Sequence, residues 1–283
     1  MNESAARAPV GALRSAVVAH QGYRQRGLAP AEHRGLPSPY LTVIFTLHEP
    51  LHVARHVHPH AVPGHYRTLI GGLHTSPALI RHDGAQSGIQ LAMNPLGARA
   101  LFGLPAGELA GIDLDAADVL GPFVNRVQDR LAEAPTWRTR FAILDEVLGP
   151  RLDFDLQPPA QVRRAWALLC RSGGTKPVSA IARDVGWSER HLANRFRTEI
   201  GLTPKTAARV IRFYRTRRDL QRSAQAGLRP ALAEAAASHG YFDQSHLVRD
   251  FTQFSGLAPS AWLSAEVGNF QVAGSEDTPD LAS

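Results

Sequence analysis

The strongest constraint on what this chain can fold into is a stretch that occurs twice. Leu192, Phe196, Gly201 and Pro204 recur 55 residues later as Leu247, Phe251, Gly256 and Pro259. The turn glycines Gly186 and Gly240 lie 54 apart, so the second copy carries one extra residue, at Phe242-Asp243. In the first copy Leu192, Phe196 and Ile200 recur every fourth residue and form one apolar stripe on a helix. Arg190, Asn194 and Arg197 then lie on the opposite side, as Ser245, Arg249 and Thr252 do in the second copy. Ser188 is placed to cap the first helix, with Glu189 in its first turn and Gly201 as its stop. One such helix alone is equally an ordinary surface helix with solvated charges. Two in register, each preceded by a shorter apolar segment that ends at glycine, predict a pair of helix-turn-helix units. Between them Pro204 opens a long helix to about Arg222, carrying Arg209, Arg212, Arg215, Arg217 and Arg218.

The charge distribution points the same way. Residues 160 to 270 hold 17 Lys+Arg against 8 Asp+Glu, whereas the rest hold 14 against 17. Positive charge confined to the C-terminal part is the footprint of a domain that meets a polyanion. Of the 31 basic residues only Lys176 and Lys205 are lysine, and arginine's fork suits phosphates and guanine edges. A length of 283 residues suggests two domains. No stretch reaches the ~20 apolar residues of a membrane span, and the N-terminus lacks a signal pattern, so a cytoplasmic location without membrane contact is expected. The single cysteine, Cys170, excludes an intrachain disulfide and reads as a buried thiol.

Residues 1–13 carry little apolar pattern and are expected to be disordered. A domain of short strands and then helices is expected over 14–152. Its strands are Ala16 to Ala19, Tyr40 to Leu47, Leu51 to Val57, Tyr66 to Ile70, Ala78 to Arg81 and Gly88 to Ala92, a spacing that suggests a small barrel or sandwich. Helical patterns follow over Pro95 to Leu104, Ala117 to Ala134 and Thr136 to Leu152, the last two as an antiparallel pair turning at Pro135. Residues 153–159, ending in Pro-Pro, read as a short linker, 160–265 as the DNA-binding domain and 268–283 as a disordered tail. Eight of the thirteen histidines lie between His48 and His82. His56, His58 and His60 would share a face on a strand and are weak candidates for a metal site, although Pro59 interrupts the strand and carboxylates are few nearby. No cofactor is expected otherwise. Gly173-Gly-Thr-Lys176 lacks the full phosphate-loop pattern, and no nucleophile-base motif such as Gly-x-Ser-x-Gly occurs, so an enzyme is not expected.

From about Ala160 to Ala265 the chain resembles the AraC/XylS family of bacterial transcription regulators. The resemblance rests on Ala182-x3-Gly186-Trp-Ser-x-Arg190-x-Leu192-x3-Phe196-x4-Gly201-x2-Pro204 and on Gly240-Tyr-Phe-Asp243-Gln244-Ser245-His246-Leu247-x3-Phe251-x4-Gly256-x2-Pro259. It implies an α+β protein: an N-terminal small β-barrel of divergent cupin-like type with following helices, and a C-terminal all-α double helix-turn-helix domain. The implied base contacts are Arg190 and Asn194 in the first recognition helix and Gln244, Ser245, His246 and Arg249 in the second. Arg197, Lys205 and Arg212 would meet the DNA backbone. Phe242 departs from the pattern, since many members have Ser there, and moves the expected N-cap to Asp243. The implied partner is double-stranded promoter DNA, with RNA polymerase, a small-molecule effector and a second copy of the chain as further candidates. A rigid long helix would set the two readers about 34 Å apart, in successive major grooves. The competing reading is a metal-dependent cupin-type enzyme with an appended DNA-binding domain.

Overall fold

The computed structural model describes residues 2–270, with side chains up to Glu266. Ten strands form two antiparallel sheets. In order along the chain they are β1 (Glu3–Arg7), β2 (Val17–Arg26), β3 (Ala31–Gly35), β4 (Leu41–Thr46), β5 (Leu51–Arg55), β6 (Gly64–Tyr66), β7 (Thr68–Gly71), β8 (Ala78–His82), β9 (Ala85–Met93) and β10 (Asp113–Leu114). One sheet has the order β1-β2-β9-β4-β7-β10 and the other β3-β8-β5-β6. They face each other across a shared cavity, and among the described residues no ladder closes them into one barrel. Alternation sorts the side chains: Val43 and Phe45 of β4 and Ile89 and Leu91 of β9 enter the core, while Thr42, Ile44 and Gln90 line the cavity.

Three strands lie outside the expected pattern: β1, β3 and the two-residue β10. β1 occupies residues assigned to a disordered N-terminus; it pairs with β2 from Glu3 opposite Arg24 to Arg7 opposite His20. An edge strand made of Glu, Ser, Ala and Arg has no hydrophobic signature, because it gains its order from the neighbouring ladder. β3, Ala-Glu-His-Arg-Gly, is polar and at an edge for the same reason.

Helices follow the strands: α1 (Ala98–Phe102), α2 (Ala116–Leu120), α3 (Phe123–Glu133) and α4 (Trp137–Leu148). The helix expected over Ala117 to Ala134 is two. Gly121 at φ +90° followed by Pro122 ends α2, since proline cannot donate the amide that would continue it. Thr136 caps α4 by accepting from the Thr139 amide at 3.1 Å, and α3 and α4 pack as an antiparallel pair.

The C-terminal region is helical throughout: α5 (Ala160–Arg171), α6 (Val178–Asp184), α7 (Glu189–Ile200), α8 (Pro204–Gln225), α9 (Leu232–Ser238), α10 (Gln244–Ser255) and α11 (Pro259–Phe270). α8 is its axis. Val210, Ile211, Phe213 and Leu220 are buried on it, and α5, α7, α9, α10 and α11 all pack against it. The tail expected from 268 begins inside α11, and residues 271–283 lie outside the described ones. A single buried apolar cluster runs from the strands into these helices, so the two regions share a core. No helix among the described residues is long and apolar enough to cross a membrane.

Candidate nucleic-acid interface

The two predicted readers have matching local structure. Ser188 caps α7 by accepting from the His191 amide at 3.2 Å, and Asp243 caps α10 by accepting from the His246 amide at 2.7 Å. Each helix ends on a left-handed glycine, Gly201 at φ +95° and Gly256 at φ +76°, where any side chain would clash with its own backbone. An aromatic residue ahead of each cap packs edge-on against the following histidine: Trp187 on His191 at 4.6 Å and Tyr241 on His246 at 5.3 Å. Leu192, Phe196 and Ile200 are wholly buried, as are Leu247, Phe251 and Phe254.

The opposite faces are open. Arg190, Asn194 and Arg197 of α7 are exposed, and so are Gln244, Ser245 and Arg249 of α10 and Lys205 at the start of α8. Among the described residues none of these seven is in an ion pair, so they present donors and acceptors suited to base edges and phosphates.

Two expected contacts are otherwise employed. His246 accepts the Phe242 amide on Nδ1 at 3.3 Å, turns Nε2 toward Asp250 at 3.9 Å and packs under Tyr241. It holds the turn before α10 while its side chain stays 32% exposed. Arg212 points inward: its Nη1 donates to the Gly174 carbonyl at 2.9 Å and its guanidinium lies over the Tyr241 ring at 5.4 Å. Arg209 is bound to Asp250 at 2.8 Å, and Arg217 lies over the Tyr214 ring. The basic residues of α8 are thus largely cross-braces. A helix packed on nearly every side must point charges into crevices, where a sequence wheel shows only exposure on a lone helix.

The three histidines are not brought together either. β5 stops at Arg55, and buried His56 holds Asp113 through Nδ1 at 2.7 Å, with the Tyr66 hydroxyl 3.3 Å from Nε2. His58 and His60 stand exposed in the following turn. The carboxylate partner comes from a strand 57 residues away, which spacing could not reveal. Among the described residues no group of three His, Cys, Asp or Glu is placed to hold a metal.

Residues 181–265 match the family model described as "Helix-turn-helix domain". No curated protein matches the chain. Among solved structures it resembles ToxT from Vibrio cholerae, at 12% identity and a TM-score of 0.50, over 87% of this chain and 97% of that one. ToxT from Vibrio cholerae O395 gives 12%, 0.50, 90% and 98%, and an apo ToxT variant from strain SCE256 gives 9%, 0.51, 92% and 99%. At such identity the likeness is one of fold, and it spans both halves of the molecule. The family match and the two capped helices together define residues 181–265 as a helix-turn-helix domain.

Proposed function

We propose that α7 and α10 enter successive major grooves of promoter DNA and that the N-terminal region controls this through a small-molecule effector. The observation that supports the first part is that two helices capped in the same manner, α7 and α10, both pack on α8 and each carries an exposed polar face. Arg190 and Asn194 read the bases at one half-site, Gln244, Ser245 and Arg249 at the other. Arg197 and Lys205 meet phosphates. Arg190→Ala and Arg249→Ala are each expected to cost ~1–3 kcal/mol on the preferred site and to relax selectivity at one base. Lys205→Ala should weaken all duplexes alike and reduce the slope of log K against log salt by about one. Titrations of each variant on matched and single-substituted duplexes at several salt concentrations check both. Unchanged base preference in the two arginine variants would remove their assignment.

The effector site is a cavity of about 350 Å³ between the sheets and α8. Its floor is apolar, made by Ile44, Leu51, Val53, Leu69 and Ile80. Three arginines line it as well, Arg34 from β3, which is paired with Glu266 at 3.5 Å, and Arg217 and Arg218 from α8, an excess of positive charge. Burial, with the neighbouring Arg218, pushes the pKa of Arg217 below the usual arginine range, and its buried Nε has no hydrogen-bond partner. An apolar body with an anionic head fits this lining, and would tie the sheets to the helix that carries both readers. A panel of medium-chain and aromatic carboxylates should therefore include members that raise the unfolding midpoint, by ~2.7 kcal/mol of stability at a hundredfold excess over Kd. Ile44→Phe, which fills the cavity, should abolish that response while leaving DNA binding intact. A response that persists in Ile44→Phe would place the ligand elsewhere.

A further inference from the structure

The second helix-turn-helix carries one residue more than the first, at Phe242-Asp243, and Phe242 is the most exposed large apolar side chain of the described chain, at 92%. Its exposure is built rather than loose. The Phe242 amide donates to His246 Nδ1 at 3.3 Å, and Asp243 next to it caps α10. Tyr241, on its other side, is 6% exposed and carries the Arg212 guanidinium on its ring. The backbone of the insertion is thus pinned by a buried aromatic on one side and a helix cap on the other, and Phe242 is exposed together with Gln244 and Ser245, which follow it closely in the chain. The first unit has no counterpart, since Trp187 at that place is folded back onto His191.

Holding an aromatic ring in water is unfavourable unless something covers it, and a residue whose backbone is already held loses less entropy when covered. In the chain it immediately precedes the cap and the exposed first residues of α10, the part of a recognition helix that reaches base edges. The apolar feature that the major groove offers is the thymine C5-methyl group. We propose that Phe242 is a specificity-determining residue: its ring packs on a thymine methyl at the edge of the half-site read by α10. This rests on the DNA-reading role given to α10 above. It replaces His246, which the fold employs internally, with a neighbour at the same end of the helix.

The test uses the full chain and a binding site enriched from a random duplex pool, then re-made with each thymine replaced in turn by deoxyuridine, which lacks only the methyl. For the wild-type protein one such replacement should lower affinity about fourfold, the change expected for one buried methyl-sized group. Phe242→Ala should bind the unaltered site about fourfold more weakly and be indifferent to that replacement, while keeping the wild-type response at every other thymine. Phe242→Leu, still apolar, should retain part of the response. Phe242 is exposed, so neither change threatens the fold. The proposal is overturned if Phe242→Ala binds like wild type, or binds more weakly yet responds to every replacement as wild type does. If the wild-type protein enriches no sequence from the pool, the DNA-reading role itself falls, and this inference with it. Enrichment without coupling at Phe242 removes this inference alone.

Discussion

Arg99→Ala is expected to destabilise the protein by about 3 kcal/mol, the lower end of what removing one partner of a buried ion pair costs. Glu199 lies on α7 with its side chain 2% exposed, and Arg99 of α1 meets it twice, Nε to Oε2 at 2.7 Å and Nη2 to Oε1 at 3.0 Å. Without the guanidinium the carboxylate stays dehydrated and unpaired. Arg99 itself is 29% exposed, which keeps the expected loss from the upper end of the range. The pair belongs to a wider seam. Gly107 lies so close to the C-terminal end of α7 that a Cβ there would sit 2.2 Å from the Thr198 carbonyl oxygen, and Gly201 adjoins Ala110. The first recognition helix is therefore seated directly on the segment that follows the last long strand. For a chain of this size the loss corresponds to a fall of roughly 6–12 °C in the unfolding midpoint. Adding Glu199→Gln to Arg99→Ala should recover part of it, because the uncompensated charge is gone. A midpoint unchanged in Arg99→Ala, or a double variant no better than the single, would show that the pair does not hold the seam.

A loss of similar size, with a sharper effect on binding, is expected for Asp250→Ala. Asp250 is a 5% exposed carboxylate on α10 that takes Arg209 Nη2 at 2.8 Å and Nε at 3.3 Å, with Arg212 at 4.0 Å. It fastens the second recognition helix to the axis helix. Its removal should cost about 3 kcal/mol and leave two arginines crowded without their counter-charge. The half-site read by α10 should lose its protection in a footprint while the half-site read by α7 keeps it. Asp250→Asn, which still accepts hydrogen bonds but carries no charge, should fall between. Footprints of equal length for Asp250→Ala and wild type, with affinities within about twofold, would show that α10 is held by its apolar contacts alone.

The C-terminal domain was legible because its signals are local. A 3.6-residue apolar period, a capping Ser or Asp and a glycine at a left-handed position act within one or two turns of helix, and the second copy repeats them in register. The same economy identified Asp243 as the cap of α10 even though Phe242 displaces the pattern. Where the reading failed, the partner was distant or the environment crowded. β1 and β3 are ordered by ladders to strands far along the chain, and nothing in their own composition shows it. His56 was grouped with its neighbours in sequence, yet its partner is Asp113. His246 has the right place on the helix for a base contact, but its ring nitrogen is taken by the amide that the inserted residue brings beside it.

What the sequence by itself determined is which residues of α7 and α10 face away from the core, since helix periodicity and caps are properties of the chain over a dozen residues. Only the tertiary structure decided which charges remain free to meet DNA. α8 is packed on several sides, so Arg209 and Arg212 are drawn to Asp250 and the Gly174 carbonyl, whereas Arg190, Arg197 and Arg249 stay open. The cavity and the Arg99–Glu199 seam are likewise made by residues 100 or more positions apart, brought together by a shared core that no local pattern encodes.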